Sequence, residues 1–169
     1  MTTTSTGRFP IVANKKKQLH RLIIDRLTND LDTLMKAAKA AHEAAIHEEN
    51  IPDNKYDTLS LEASYVAQGQ ANRAQEVKRA LQAYRSLSLQ PFDASAEIRL
   101  TALVTLEGDD GAQRTVFIGP QEGGLKLLLD GEEVLVITAS SPMGRELIGK
   151  SLGDTVEMGR ASYEIVGLC

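Results

Sequence analysis

The feature that most constrains this chain is a regular spacing of mostly apolar residues along its first half. These residues recur at alternating steps of four and three, at His20, Ile24, Leu27, Leu31, Leu34, Ala38, Ala41 and Ala45. This is the a/d pattern of a coiled-coil helix, sustained for nearly four heptads. A second seam follows at Leu59, Ala63, Val66 or Ala67, Gln70, Ala74, Val77, Leu81 and Tyr84. The pattern therefore predicts two long helices.

A short break separates the two seams. Pro52 removes a backbone donor, and Asp53 or Asn54 is suited to cap a new helix. So short a connection between long apolar seams favours an antiparallel hairpin, which we place at residues 14–88. Some 35 residues per helix would give an arm on the order of 50 Å long. Residues 1–13 are predicted to be a flexible tail.

The second half is predicted to be a separate β domain. Pro91 indicates a linker over residues 89–96, and Glu97–Leu106 alternates with Ile98, Leu100, Ala102, Val104 and Leu106 on one face. Further strands are predicted at Arg114–Gly119, Val134–Thr138, Thr155–Met158 and Ser162–Leu168, with a short helix that begins at Ser141-Pro142 and ends before Gly149. The expected fold class is α+β, with an antiparallel sheet in residues 97–169.

Charge and composition restrict the functional classes. The net charge is −4, with a net of +2 in residues 1–96 and −6 in residues 97–169, which argues against sequence-specific DNA binding. Cys169 is the only cysteine, so no internal disulfide is expected and a reducing, cytoplasmic setting is the simplest interpretation. No apolar run has the length of a membrane span. The lysines Lys15, Lys16 and Lys17 favour a solvated helix face over a phosphate-binding patch.

Motifs of a self-contained active site are missing from the sequence. It has no glycine-rich phosphate loop and no serine paired with a histidine in a recognisable nucleophile context. A helical arm joined to a small β domain is more typical of an accessory factor than of an enzyme. We therefore expect no catalytic residues of its own and no cofactor bound by the isolated chain.

Carboxylates concentrate where the two helices meet. Glu49, Asp53 and Asp57 are the candidates at this tip. One interpretation is structural, because acidic residues cap a helix start and interact favourably with its dipole. The other is that they approach Mg²⁺, which prefers a few carboxylates together with water and phosphate oxygens. The residues alone leave both interpretations open.

The segment Ser141–Asp154 carries a resemblance to a known family. It reads S-P-M-G-R-E-L-I-G-K-S-L-G-D and is similar to the S-P-x-(G/A)-R-x-L-I-G-K-x-x-G-D motif of the Gre family of bacterial transcription elongation factors. Gln68–Arg73 also resembles a stretch of that family. The resemblance implies an N-terminal antiparallel coiled coil followed by a C-terminal domain with an FKBP-like fold.

The same resemblance implies a mechanism and a partner. The C-terminal domain would dock on RNA polymerase, with Ser141, Pro142, Arg145, Lys150 and Asp154 as contact candidates. The coiled coil would enter the secondary channel of the polymerase. Acidic tip residues would there help to hold a Mg²⁺ that is shared with the polymerase and that activates water for cleavage of the 3′ end of backtracked RNA. The chain would thus reach the nascent RNA only indirectly.

The tip departs from the family pattern, which is similar to G-D-x-x-E-N-A-E-Y. One match places the two acidic positions at Asn50 and Asp53, and another places them at Asn54 and Asp57. Neither match restores both carboxylates. We therefore expect weak or absent stimulation of RNA cleavage, and the alternative is a non-cleaving regulator or inhibitor of transcription.

Two functions from other classes compete with this interpretation. A peptidyl-prolyl isomerase would need an aromatic pocket, but residues 97–169 contain only Phe117 and Tyr163 as aromatics. A structural dimer built through the coiled coil is the other alternative. We expect a monomer, because an antiparallel hairpin satisfies its own seam.

Overall fold

The computed structural model describes residues 9–49 and 57–169, with side chains for residues 14–47, 61–62 and 64–169. Two helices come first, α1 (Phe9–Glu49) and α2 (Asp57–Arg85). Contacts divide the chain into two units. The helical unit is Ile24–Arg85, and the β unit combines the chain up to Ile23 with Ser86–Cys169. No helix among the described residues is long and apolar enough to cross a membrane.

The helical unit follows the predicted seams. In α2 the buried residues are Ala74, Val77, Ala80, Leu81 and Tyr84. In α1, Leu27 and Ala45 are buried and the seam residues between them are half-buried. Of the two alternatives in the second seam, Ala67 is half-buried whereas Val66 is 55% exposed. The structure confirms a helical pair followed by a β unit, and the described part of α1 runs through Ala41 without a break.

The start of α1 differs from the prediction in two respects. The helix begins at Phe9 rather than near Asn14, and Pro10 is compatible with this start because the first turn of a helix leaves its N–H groups unpaired. The buried apolar residues near the start are Leu19 and Ile23, whereas the predicted seam residues His20 and Ile24 are half-buried. This part of the helix belongs to the β unit, so packing there sets which face is buried.

The β unit contains one six-stranded sheet in the order β3-β4-β2-β1-β6-β5. Its elements are β1 (Leu103–Gly108), β2 (Gln113–Gly119), β3 (Lys126–Leu129), β4 (Glu132–Thr138), α3 (Pro142–Leu147), β5 (Thr155–Met158) and β6 (Ala161–Leu168). Neighbouring strands are antiparallel except β2 and β4, which are parallel. The predicted antiparallel sheet is therefore confirmed except at this one parallel pair. The chain passes through the edge strand β3, which the sequence analysis missed, and returns as β4 beside β2.

The predicted strand over Glu97–Leu106 is confirmed only from Leu103 onward. Before it, the backbone of Ile98 bonds to the segment after α3, where its N–H donates to the Lys150 carbonyl at 2.7 Å. A turn follows, closed by the Ala102 N–H on the Arg99 carbonyl at 3.0 Å, and Thr101 has a positive φ of 73°. This turn leaves Leu100 44% exposed, although alternation predicted it on the buried face.

Buried side chains lie on both faces of the sheet. The face that carries α3 includes a cluster of Phe92, Ile98, Ala102, Val104, Leu106, Val116, Ile118, Ile137, Leu147, Val156 and Ile165. Strand alternation places Leu103, Phe117, Val134 and Val136 on the opposite face, and all four are buried. The result is an α+β fold with a mostly antiparallel sheet and one short helix, as predicted.

Candidate functional site

The tip candidates lie outside the residues that the structure describes fully. Glu49 is the last residue of α1 and Asp57 the first of α2, but neither side chain is described, and Asp53 falls between the described ranges. Within the described residues, no group of three or more His, Cys, Asp or Glu side chains is arranged to hold a metal ion. The roles of Glu49, Asp53 and Asp57 stay predictions.

The motif segment, Ser141–Asp154, builds α3 and the loop that follows it. Ser141 is the N-cap: its hydroxyl oxygen accepts from the Gly144 N–H at 3.0 Å and donates to the Thr138 carbonyl at 2.7 Å. Pro142 occupies the first turn, where a missing N–H costs nothing. The candidate Ser141 thus has a structural role, because it ties α3 to the end of β4.

Gly144 fixes how closely α3 approaches the sheet. A Cβ atom built on it would lie 1.9 Å from the carbonyl oxygen of Thr138. Only glycine fits such a contact, so the motif glycine is explained by packing. Leu147 is fully buried in the cluster beneath α3.

The loop after α3 is also held by internal bonds. Gly149 has a φ of +81°, and its N–H donates to the Ile98 carbonyl at 2.9 Å. The side chain of Asp154 accepts from the Ser151 N–H at 2.8 Å. Asp154 therefore closes this loop while its side chain remains exposed.

The remaining candidates form an outward surface, which we call the α3 surface and define as Pro142, Arg145, Ile148, Lys150 and Leu152. Pro142 and Arg145 are exposed and Lys150 is half-buried. Arg145 Nη1 donates to the Ser140 carbonyl at 2.6 Å, which orients the guanidinium. Ile148 and Leu152 are 39% and 40% exposed.

Ile148 and Leu152 were missed as surface residues by the sequence analysis. Ile148 is not buried as its neighbour Leu147 is, because it is the C-cap of α3 and the chain leaves the helix there with a ψ of 130°. Leu100 is exposed on the neighbouring turn, which the Ile98 backbone bonds hold beside Gly149 and Lys150. The α3 surface thus combines two basic groups with partly exposed apolar ones.

A second arrangement was not predicted and centres on Lys16. The prediction that Lys15–Lys17 form a solvated face is wrong for Lys16, which is 5% exposed. Its ammonium donates to the Gln90 carbonyl and lies 4.5 Å from the centroid of the Phe92 ring. Arg99 also lies 4.5 Å from that centroid. The spacing of Lys16, Leu19 and Ile23 on one helix face was the signal available in the sequence.

The environment of Lys16 disfavours its charge. Burial, reinforced by the nearby Arg99 and partly opposed by Cys169, lowers the pKa of Lys16 to about 8. Burial likewise raises the pKa of the Cys169 thiol. The Gln90 N–H donates to Thr101 Oγ1 at 2.9 Å, so Gln90 connects the start of α1 to the turn before β1. This arrangement is a structural tie within the β unit.

Comparison with known proteins provides independent information. No family model matches the chain. Over 77 residues it is 42% identical to a transcription elongation factor GreA of Brucella anthropi and 38% identical to one of Brucella canis. Each match covers 42% of this chain and 45% of the relative, so the chain spans less than half the length of the curated relatives it matches.

Solved structures give weaker likenesses. The crystal structure of the GreA factor homolog 1 (Gfh1) of Thermus thermophilus matches at a TM-score of 0.37 and 16% identity, over 89% of this chain and 94% of that one. Gfh1 of Thermus aquaticus matches at 0.35 and 23%, over 85% and 92%. Scores this low support no inference. The curated relatives, however, confirm the resemblance to the Gre family of transcription elongation factors that the Ser141–Asp154 motif indicates.

Proposed function

We propose that this chain is a regulator of transcription that binds RNA polymerase and has no catalytic site of its own. The observation that carries the proposal is the construction of the motif segment. Ser141, Gly144 and Asp154 hold the segment's fold, which leaves Arg145, Ile148 and Leu152 exposed and Lys150 half-buried. A motif that both builds a surface and leaves it exposed is suited to docking, and the likeness to GreA transcription elongation factors supports the proposal that the partner is RNA polymerase.

The helical unit would then extend from the docked β unit towards the polymerase active site. Docking through the β unit would leave the pair α1 and α2 to enter the secondary channel, with Glu49, Asp53 and Asp57 carried towards the polymerase Mg²⁺. The isolated chain needs no bound metal in this proposal, because the ion is shared with the polymerase.

The acidic pair of the family is not reproduced in either match of the tip sequence. The proposed output is therefore an effect on pausing or initiation, with little stimulation of RNA cleavage. A peptidyl-prolyl isomerase gains no support from the described residues, since Phe117 is fully buried and Tyr163 is half-buried beside Arg114.

The proposal is tested on stalled, backtracked elongation complexes with Mg²⁺. Wild type is compared with Asp53→Ala and Asp57→Ala for RNA cleavage and for pause lifetime. We expect little cleavage, together with an effect on pausing that the substitutions reduce. Strong cleavage by the wild type would contradict the proposed output, and no change in any transcriptional readout with the substitutions would leave the tip acids as helix caps.

A further inference from the structure

The edge strand β3 leaves hydrogen-bonding groups open. It is the last strand on its side of the sheet, and within the described part of the chain it pairs with β4 alone. The two strands are joined by Asp130 and Gly131, whose φ values of 52° and 83° are those of a type I′ turn. An edge strand presents a row of unpaired N–H and C=O groups along its outer side.

The pairing with β4 determines which residues of β3 face outward. The Leu125 carbonyl accepts from the Val136 N–H at 2.8 Å, and Leu129 pairs with Glu132 across the turn. The backbone groups of residues 125, 127 and 129 therefore point towards β4. Alternation leaves those of Lys126 and Leu128 pointing outward. Among the described residues, the backbone bonds found outside regular elements include none to Lys126 or Leu128.

The side chain of Leu128 is also unusual. At 70% exposure it is the most exposed large apolar side chain among the described residues of the β unit. Its neighbours on the same face are charged: Glu133 lies opposite it on β4, and Lys126 Nζ is 3.0 Å from Glu133 Oε1. A partner strand added to β3 would place a residue directly beside Leu128.

We propose that β3 pairs antiparallel with β3 of a second copy of this chain, which joins the two six-stranded sheets edge to edge. A twofold axis at Leu128 places Leu128 opposite Leu128 of the second copy. The same register brings Lys126 beside the end of β3 in the second copy, where Asp130 begins the turn, and symmetry repeats this arrangement on the other side of the axis. The apolar pair would thus have a lysine of one copy and a turn aspartate of the other at each of its ends, and the attraction between these opposite charges favours this register.

Other registers are less complementary. If the register of the two β3 strands shifted by one residue, outward-pointing N–H and C=O groups of one strand would lie opposite groups of the other that point towards β4. The hydrogen bonds between the two strands would then not form. An axis at Leu127 keeps the ladder, but it places Lys126 opposite Leu128 and Asp130 opposite Gly124. Only the register centred on Leu128 matches apolar to apolar and basic to acidic, which is why we assign the second copy as the occupant.

The contact is small. Four residues on each side fall well below the area that a standard stable interface buries, so we expect a dissociation constant on the order of 1 mM. The chain is then a monomer at low concentration, as the sequence favours, and self-associates where its local concentration is high.

Cross-linking of the full chain tests the register. Leu128→Cys combined with Cys169→Ser leaves one thiol on the proposed axis, and hydrogen-bonded antiparallel pairs hold their Cα atoms close enough for a disulfide. The matched control is Leu100→Cys with Cys169→Ser, since Leu100 is also exposed and lies outside β3. Under mild oxidation we expect covalent dimer from the first variant at a rate at least about tenfold above the control. Equal rates would overturn the proposal.

Sedimentation of the protein without cysteine substitutions tests the association itself. The weight-average mass of wild type should rise towards that of a dimer as the concentration approaches about 1 mM. Leu128→Lys and Lys126→Glu should abolish the rise, whereas Arg160→Glu, with the same charge change as the latter on an exposed turn, should leave it unchanged. A wild type that stays monomeric throughout would overturn the proposal and leave the edge for an extended peptide of another protein.

Discussion

Gly144 shows how one residue type can be required by packing rather than by contact with a partner. Its Cα faces the Thr138 carbonyl so closely that a side chain of any size would displace α3 from the end of β4. The sequence motif marks this position but cannot give the reason, because Thr138 lies in a different element and the distance depends on the folded sheet.

Gly144→Ala should therefore destabilise the β unit. We expect a loss of about 2 kcal/mol or more in the free energy of unfolding, since the methyl group must displace backbone atoms. Urea unfolding of the variant and of wild type measures this loss of stability. The control is Gly123→Ala, where a Cβ would meet Thr138 at an ordinary 3.5 Å and the backbone has no positive φ. Equal effects of the two substitutions would contradict the assigned role of Gly144.

Lys16 gives a prediction on pH. Its pKa is about 8 in the folded state against an ordinary 10.5 in the unfolded chain, so the unfolded state binds more protons between these values. The free energy of unfolding should consequently rise as the pH increases from 8 to 10.5, by up to about 3 kcal/mol. Below pH 8 the buried ammonium costs stability in full.

Thermal unfolding across this range measures the effect as a difference between variants. Lys16→Met should lose the rise relative to wild type, whereas Lys17→Met, at an exposed neighbouring position, should keep it. The thiol of Cys169 contributes to the titration of every variant, and the comparison between the two methionine variants removes most of its contribution. An unchanged rise in Lys16→Met would show that Lys16 is not the group responsible.

At the scale of elements, the features that depend on residues close together in the sequence were predicted correctly. The spacing of Ala74, Val77, Leu81 and Tyr84 reports one face of a helix, and these residues are buried. Ser141 and Pro142 predicted the start of α3 because capping depends on adjacent residues.

Long-range features were not predictable in this way. The exposure of Leu100 follows from the bonds of Ile98 to the loop after α3, and the parallel pairing of β2 with β4 follows from the route through β3. Within the site, the outward position of Arg145 could be anticipated. The spacing of Lys16 with Leu19 and Ile23 was the one signal for the burial of Lys16, but its partners Phe92 and Gln90 could not be predicted, since they lie more than seventy residues away along the chain.

The seam of α2 can be tested directly. Leu81→Ala removes a side chain that is 4% exposed, so we expect a loss of about 2–5 kcal/mol in the free energy of unfolding of the helical unit. Leu61→Ala in the same helix affects a side chain that is 54% exposed. This substitution should change the free energy of unfolding by less than about 0.5 kcal/mol. Circular dichroism during urea unfolding measures both. Similar losses of stability in Leu81→Ala and Leu61→Ala would contradict the assignment of Leu81 to the buried seam.

For the whole molecule, we propose that the β unit binds the polymerase and that the helical unit extends into its channel. The α3 surface is held on the sheet by Ser141, Gly144 and Asp154, and α1 and α2 supply a long helical pair. In this proposal a change on the α3 surface should alter affinity for the polymerase, whereas a change at the tip should alter the output after binding.

The most direct test is equilibrium binding of the full chain to core RNA polymerase. Arg145→Glu reverses the charge at the centre of the α3 surface and should weaken binding about tenfold or more, or about 1.4 kcal/mol. Arg160→Glu makes the same charge change on the exposed turn between β5 and β6 and should bind within about twofold of wild type. Unfolding measurements on both variants would establish that each retains the fold. A wild type that does not bind the polymerase, or an Arg145→Glu variant that binds as tightly as wild type, would contradict the account.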